Sequence, residues 1–530
     1  MKNNLQEIFE NEDKKQNQKK YAMHKYWGKK PAPELAAIIN AFSNQGDLLL
    51  DPFSGYGGFA SEAVLHNRNV IANDLNPVAN FITKNLLSTD IDFGRINYYK
   101  RLIDEGMSDE ADFWYRYDHN GISGYIMSIL RDGKTDAPKM VKVKQDVTNK
   151  IIEVVLTQKQ IIDFISKENN YVIQEWYPTN KLLVNSRISA KPGMDVSTLF
   201  PKSALAMHAK LFSLIQTIDN EKDRNLFEFT FTSNIANASK LVPPITSRGP
   251  MAPGAWMTGF YIGKTYIENN VLHYFNNRFA KILSGKKEFL ETLKDSPMNK
   301  ASYSVTNMDA KNLDAIDTEA IDFIFTDFPY GDTVPYFEQS IIWNSWLKYK
   351  PNYYDEIVIS DSKERQHDYK KFATDIEKSV SEIDRVLKNN HYFVFTFHSV
   401  SGLEWLSLTN ALISSHLKPL DFYWLTQKTF TPRQLNRQKT IKGDLMVLMV
   451  KDTNQKEGSY IKINEYETTQ WIADCLLKII YEFGSLTTND LIINLIRKIF
   501  DQNMLLSNFN LMNIIKKTLI YDESNDLWKE

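Results

Sequence analysis

Two short segments carry residue types that could do chemistry. The first, DPFSGYGG at Asp51–Gly58, lies between the apolar run LLLD and the helix-like SEAVLH. Gly55 and Gly57 let the backbone approach a ligand closely and take φ values closed to other residues, while the following helix adds its positive dipole end. A glycine pair alone serves equally as an ordinary tight turn. Asp74, at the end of the second apolar run VIAND, changes the odds, because an acid there is placed to accept hydrogen bonds from ribose hydroxyls. The glycine spacing is not that of the dinucleotide fingerprint, and no GxxxxGK[ST] occurs, so NAD and ATP are disfavoured. The second segment, IDFIFTDFPYGD, runs from a buried-type strand into Asp327, Phe328, Pro329 and Tyr330. It offers a carboxylate acceptor, a carbonyl acceptor and an aromatic platform, the groups that an exocyclic amino group on a planar base would need. Taken alone, the same segment reads as aromatic capping of a strand end.

The elements around them alternate. PELAAIINAF places Leu35, Ile38, Ile39 and Phe42 at helical spacing, and LLLD, a helix, VIAND and the helix NPVANFITKNLL follow. This order opens a nucleotide-binding α/β domain. From about Asp90 to Ser304 the rhythm breaks into hairpin-like alternation (GYIMSIL, KMVKVKQDV, KIIEVVLT), a helical run and a Pro/Gly/aromatic loop. It resumes with YSVTNMDA and AIDFIFTD, then helix, HYFVFTFH, helix, DFYWLTQ and DLMVLMV. The expected organisation is a polar arm (1–20), a first α/β part (21–90), an inserted α+β domain (91–300), a second α/β part (301–452) and a helical module (457–530).

Composition narrows the class. With 63 Lys+Arg against 65 Asp+Glu in 530 residues, no global field draws the chain onto nucleic acid or membrane, so any basic surface is local. The single cysteine, Cys475, forbids an internal disulfide and a cysteine-based zinc site, and no metal is expected. The N-terminal stretch lacks an apolar signal core and no apolar run reaches the ~18–20 residues of a membrane span, so the expectation is a cytoplasmic protein.

DPFSGYGG, NDLNP and TDFPYGD, in this order on one sheet, resemble motifs I, II and IV of the S-adenosylmethionine-dependent DNA amino-methyltransferases, the adenine-N6 and cytosine-N4 class. HKYWGKKP, His24–Pro31, resembles the element that precedes motif I in one branch of that family. The likeness extends through EWYPTNKLL, the TSNIANASK to HYFNNRF stretch and VPYFEQSIIWNSWL, over about Tyr21 to Asp452. It implies a Rossmann-like methyltransferase sheet. It also implies that Asp51, Pro52, Phe53, Ser54, Gly55 and Gly57 wrap the methionine half of S-adenosylmethionine, that Asp74 and Leu75 hold the ribose, and that Asp309 sits near the adenine ring. Lys25, Tyr26, Trp27 and Pro31 would line the pocket from the N-terminal side. Asp327 with the carbonyl of Phe328 or Pro329 would accept amino hydrogens, and Tyr330 would stack on a flipped base. Where the family usually carries Asp-Pro-Pro-Tyr, this chain has Phe328. Relatives in this branch often carry a cysteine-rich zinc ribbon in the insert, which this chain lacks.

The mechanism implied needs no covalent enzyme intermediate, and cytosine-C5 methylation is excluded because Cys475 lies in an apolar stretch beyond the sheet. An Asp at the head of the tetrapeptide favours adenine N6 over cytosine N4. Double-stranded DNA is the expected partner, with a cognate restriction endonuclease or defence subunit beside it. For DNA contacts the sequence offers Arg116 within FWYRY, Arg248 in SRGPMAPG, and Arg433, Arg437, Lys439 and Lys442 in TPRQLNRQKTIKG. FWYRY is as readily core, and the basic loop as readily a solvated surface. His398, in TFHS, reads more readily as a hydrogen-bonded rim residue than as a catalyst. Two rival readings stand: an RNA base N-methyltransferase, since similar tetrapeptides occur in tRNA guanine-N2 enzymes, and a non-catalytic cofactor-binding protein that recognises DNA.

Overall fold

Three leucines ending on an acid make β1 (Leu48–Asp51), and β2 (Asn69–Asn73) lies parallel to it with Leu50 opposite Ile71. The computed structural model describes residues 19–295, 300–398, 402–425, 443–453 and 460–530. Helices Ala32–Phe42, Gly58–Leu65 and Pro77–Leu87 flank these strands; the last begins on a proline, whose fixed φ suits a first helical turn.

Asp92 then caps helix Phe93–Tyr115 by accepting from the backbone N–H groups of Gly94 and Arg95. This helix leads into an antiparallel sheet of β3 (Arg116–His119), β4 (Ile122–Asp132), β5 (Pro138–Gln145), β6 (Ile151–Val155) and β7 (Thr265–Asn269). β4 pairs β5 on one side and, in succession, β3 and β7 on the other. Helices Lys202–Gln216, Glu221–Ile235 and Val271–Lys294 pack with that sheet into one apolar core. Trp114, Tyr115 and Tyr117 are buried in it, so FWYRY is for the most part core rather than a nucleic-acid surface. Trp343 and Trp346, from the later helix Tyr336–Trp346, enter the same core and tie this region to the second α/β part.

The α/β pattern resumes with β8 (Tyr303–Thr306), β9 (Ile321–Asp327), β10 (Leu387–Phe397), β11 (Leu417–Leu425) and β12 (Asp444–Lys451). The seven strands run β11-β12-β10-β9-β1-β2-β8, parallel from β8 to β10, with β12 antiparallel to both its neighbours. This α/β order with one reversed strand is the Rossmann-like methyltransferase sheet. Its direction of winding reverses between β1 and β9, and the crevice outside the carboxyl ends of such a pair is where open α/β sheets bind ligands. Asp51, Asn73, Asp327 and Thr396 all stand at or near that edge.

Beyond β12, helices Glu465–Phe483, Thr488–Asp501 and Leu511–Thr518 precede a short hairpin of Ile520–Asp522 with Leu527–Lys529. Phe500 meets Phe422 of β11 at 6.2 Å between ring centroids, so this segment packs against the outermost strand of the sheet. Among the described residues no helix is long and apolar enough to cross a membrane.

Candidate active site

An open cleft lies over the reversal point. Its walls come from the N-terminal segment, the turn after β1, the ends of β2 and β9, and the start of helix Tyr336–Trp346.

The turn after β1 is held by its own backbone. Ser54 N–H donates to the Asn73 carbonyl at 2.8 Å and Gly57 N–H to the Ser54 carbonyl at 2.7 Å. Gly57 has φ +80°, and a Cβ there would sit 2.6 Å from Thr83, so only glycine lets the turn close against helix Pro77–Leu87. Asp74 accepts from Gly55 N–H and Asn76 N–H, both at 2.8 Å, and Asp51 accepts from Phe53 N–H at 3.2 Å. Burial pushes the Asp74 carboxyl up to about 6, the two N–H groups pulling against it. Burial also raises the Asp51 carboxyl well above its usual range, with Asp74 and Asp327 adding to the effect. Neither acid has a cation in an ion pair among the described residues. Ser54 Oγ and Trp27 Nε1 are buried on the same cleft without hydrogen-bond partners among the described residues.

These groups fit S-adenosylmethionine. Its ammonium would neutralise a buried carboxylate, its ribose hydroxyls would donate to Asp74, and its polar atoms would satisfy Ser54 and Trp27.

The other end of the cleft is built around Asp327. Its Oδ1 accepts from Thr396 Oγ1 at 2.6 Å and Tyr330 OH at 2.7 Å, and pairs with Lys30 Nζ at 3.0 Å. Lys30 also donates to Asp444 at 2.7 Å and to Tyr330 OH at 2.8 Å. Burial pulls the Lys30 ammonium down, but Asp327 and Asp444 together hold it above its ordinary value. Burial pushes the Asp327 carboxyl up, with Lys30 opposing. Oδ2 shares the single Tyr330 hydroxyl proton, at 2.9 Å, has no further donor among the described residues, and faces Gly28, whose φ is +72° and where a Cβ would lie 3.2 Å from it. Three donors therefore anchor one oxygen while the other keeps acceptor capacity toward the cleft. Beside it, Glu356 pairs with Arg365 at 2.5 Å and accepts from Phe337 N–H at 3.2 Å. Burial pushes the Glu356 carboxyl up to about 8, Arg365 opposing and Glu338 assisting.

Most of the residues proposed from sequence meet here. Tyr26, Trp27, Asp51, Pro52, Phe53, Ser54, Gly55, Asp74, Leu75, Asp309, Asp327 and Pro329 line the cleft. Lys25 does not: its ammonium lies over the Trp256 ring at 4.3 Å. Pro31 instead starts helix Ala32–Phe42, and Gly57 acts through its contact with Thr83. The Phe328 ring is turned away into the core beside Phe53 and Phe395, which is how a phenylalanine replaces proline without filling the cleft. The Tyr330 ring is buried against Phe397 and His398, and its hydroxyl is tied to Asp327. Arg116 is paired with Asp146 at 2.7 Å; Arg248 is exposed on a turn; Arg433, Arg437, Lys439 and Lys442 lie outside the described residues. Sequence reasoning missed Lys30, Thr396, Asp444 and Glu356. An acid heading the apolar run DLMVLMV was the available signal for Asp444; Lys30 is one of three lysines in HKYWGKKP and nothing local singles it out.

A family model described as DNA methylase, of the N6/N4 type, matches residues 2–84. No curated protein matches the chain. Among solved structures, the rRNA methyltransferase aviRa from Streptomyces viridochromogenes is 9% identical, over 80% of this chain and 86% of that one, with a TM-score of 0.25. The geranyl diphosphate C-methyltransferase from Streptomyces coelicolor A3(2) is 10% identical, over 56% and 99%, with a TM-score of 0.16. Likenesses so distant add nothing to the topology. The sheet order is that of the methyltransferase fold, and the family match covers residues 2–84 of the 530. The matched span contains β1, the glycine turn after it and β2.

Proposed function

We propose that this protein methylates the exocyclic amino group of a base flipped out of double-stranded DNA, adenine N6 in preference to cytosine N4. In this reading it is the cytoplasmic modification arm of a restriction-modification or phage-defence system, with a cognate endonuclease or defence subunit as partner. The observation that carries the reading is the half-anchored Asp327 carboxylate at the carboxyl edge of β9.

An exocyclic amino nitrogen is a poor nucleophile because its lone pair is delocalised into the ring. Asp327 Oδ2 would accept one amino hydrogen, and the carbonyl of Phe328 or Pro329 the other, favouring a pyramidal nitrogen with its lone pair directed outward. Lys30, Thr396 and Tyr330 fix the acceptor before the substrate arrives, so little reorganisation is needed during reaction. S-adenosylmethionine, when bound by Asp51, Ser54, Gly55, Asp74 and Asp309, supplies an electrophilic sulfonium methyl. The amino proton released after transfer leaves to the Asp327 carboxylate or to water.

The test is methyl transfer from labelled S-adenosylmethionine to unmodified genomic DNA, with total RNA in parallel and nucleoside products identified by mass. N6-methyladenine is expected, falling by about 10²–10³ or more in Asp327→Ala. Label in RNA alone, or cofactor binding without transfer to DNA, would overturn the reading.

A further inference from the structure

The segment after β12 has a form of its own. Helices Thr488–Asp501 and Leu511–Thr518 are followed by the hairpin, whose second strand returns to pair with Leu486, just before the first of the two helices. Leu486 N–H donates to the Trp528 carbonyl at 3.0 Å and Trp528 N–H to the Leu486 carbonyl at 2.7 Å. The buried Trp528 indole then donates to Thr488 Oγ1 at 2.9 Å, which fixes the hairpin beneath the helix start. After the long helix Glu465–Phe483, these two helices, joined by the link 502–510 with its short strand Met504–Leu505 and closed by the hairpin, form a three-helix unit with a β wing.

Helix Leu511–Thr518 divides into two faces. Leu511, Met512, Ile514 and Ile515 are buried, whereas Asn513, Lys516 and Lys517 are exposed at spacing i, i+3, i+4, a single outward face. Neither lysine is in an ion pair among the described residues, and that face bears no acid. From this we infer that the helix is a duplex-DNA contact: the two ammonium groups meet backbone phosphates, and the Asn513 amide has the donor and acceptor that an adenine edge presents in the major groove. The hairpin tip carries Glu523 and Asp526, so the contact is confined to the helix.

Its position serves the cleft. Gly402, just past the carboxyl end of β10, lies so close that a Cβ there would be 3.0 Å from both Leu511 N and Leu511 Cβ. Asn410 fixes the connection in front of the helix, donating to the Leu506 carbonyl at 2.9 Å and accepting from Leu506 N–H at 3.2 Å. The helix is thus anchored at the sheet edge that carries Asp327, and a duplex held on it stays registered to the site. The inference rests on the DNA amino-methyltransferase reading.

The experiment uses the full chain and a labelled duplex without cofactor, titrated across a salt series, beside methyl-transfer kinetics. Variants are Lys516→Glu with Lys517→Glu, the milder Lys516→Gln with Lys517→Gln, and Asn513→Ala; all three positions are exposed, and unchanged melting temperatures check the fold. The glutamate pair is expected to weaken binding roughly tenfold at low salt and to flatten the log–log salt slope by about 2, one phosphate contact per lysine. The glutamine pair gives a smaller shift in the same direction, and KM for DNA rises with kcat unchanged. Wild-type methylation of DNA with identical affinity, slope and KM in the variants overturns this inference and leaves the function standing. Wild-type protein that neither binds nor methylates DNA overturns both.

Discussion

Two ends of one cleft treat buried carboxylates in opposite ways. At the end formed by β1 and β2, the buried Asp51 and Asp74 accept from backbone N–H groups and have no cation in an ion pair among the described residues. At the end formed by β9, Asp327 has a permanent cation, Lys30, and two hydroxyl donors. The first arrangement leaves charge to be balanced by a ligand that brings its own cation and donors. The second keeps its acid oriented in the ligand-free protein. A buried carboxylate alone therefore does not reveal its use; its counter-groups do.

Removing the cation should break this contrast most severely. Lys30→Met leaves Asp327 buried and uncompensated, with Asp444 nearby, and is expected to cost about 3–5 kcal/mol of stability. Methyl transfer at a temperature where the variant is folded should fall by about 10² while S-adenosylmethionine affinity, measured by calorimetry, changes little. Equal losses of both would mean the two ends are one electrostatic unit. The sign of the pH effect is also testable. Without Lys30 to oppose burial the Asp327 carboxyl is raised further above its ordinary value, so the variant loses stability as pH rises from that ordinary value to the raised one.

Asp74→Asn should sharpen the comparison from the other side. With its folded value near 6 and an ordinary value of 3.8, ionised Asp74 burdens the ligand-free fold by roughly 3 kcal/mol at pH 7, and that burden develops between about pH 4 and 6. The amide loses one backbone hydrogen bond, so a net gain of about 1–2 kcal/mol is expected at pH 7, vanishing near pH 4. Thermal melting at the two pH values checks it. S-adenosylmethionine affinity in the same variant should fall about tenfold, the size of one charge-assisted hydrogen bond. A variant that is both more stable and tighter-binding would contradict the assignment.

The smallest effect belongs to Gly28→Ala. The positive φ costs about 1 kcal/mol, and the new methyl would crowd Asp327 Oδ2, so kcat should fall by about tenfold with a small drop in melting temperature. Loss of stability with kcat intact would show that Oδ2 does not serve the reaction.

Much of this was legible in the chain itself. The apolar runs LLLD, VIAND and IDFIFTD announced parallel, doubly covered strands, and each ends at or beside an acid because the strand runs out into the crevice. The glycine turn followed from local backbone limits, and the hairpins of the insert from their period-two alternation. These are properties of neighbours in sequence. The partners of Asp327 are not: Lys30 precedes it by 297 positions, while Thr396 and Asp444 follow at 69 and 117. No local pattern marks such residues, because ion pairing and hydrogen bonding depend on distance in space. FWYRY shows the same limit in reverse, since its composition suits core and surface equally and only packing against Tyr171 and the insert sheet decided for core. The sequence by itself determined the elements and which residue types stand at their ends. The tertiary structure decided which of those ends meet, and hence which acid is fixed by a cation and which await a ligand.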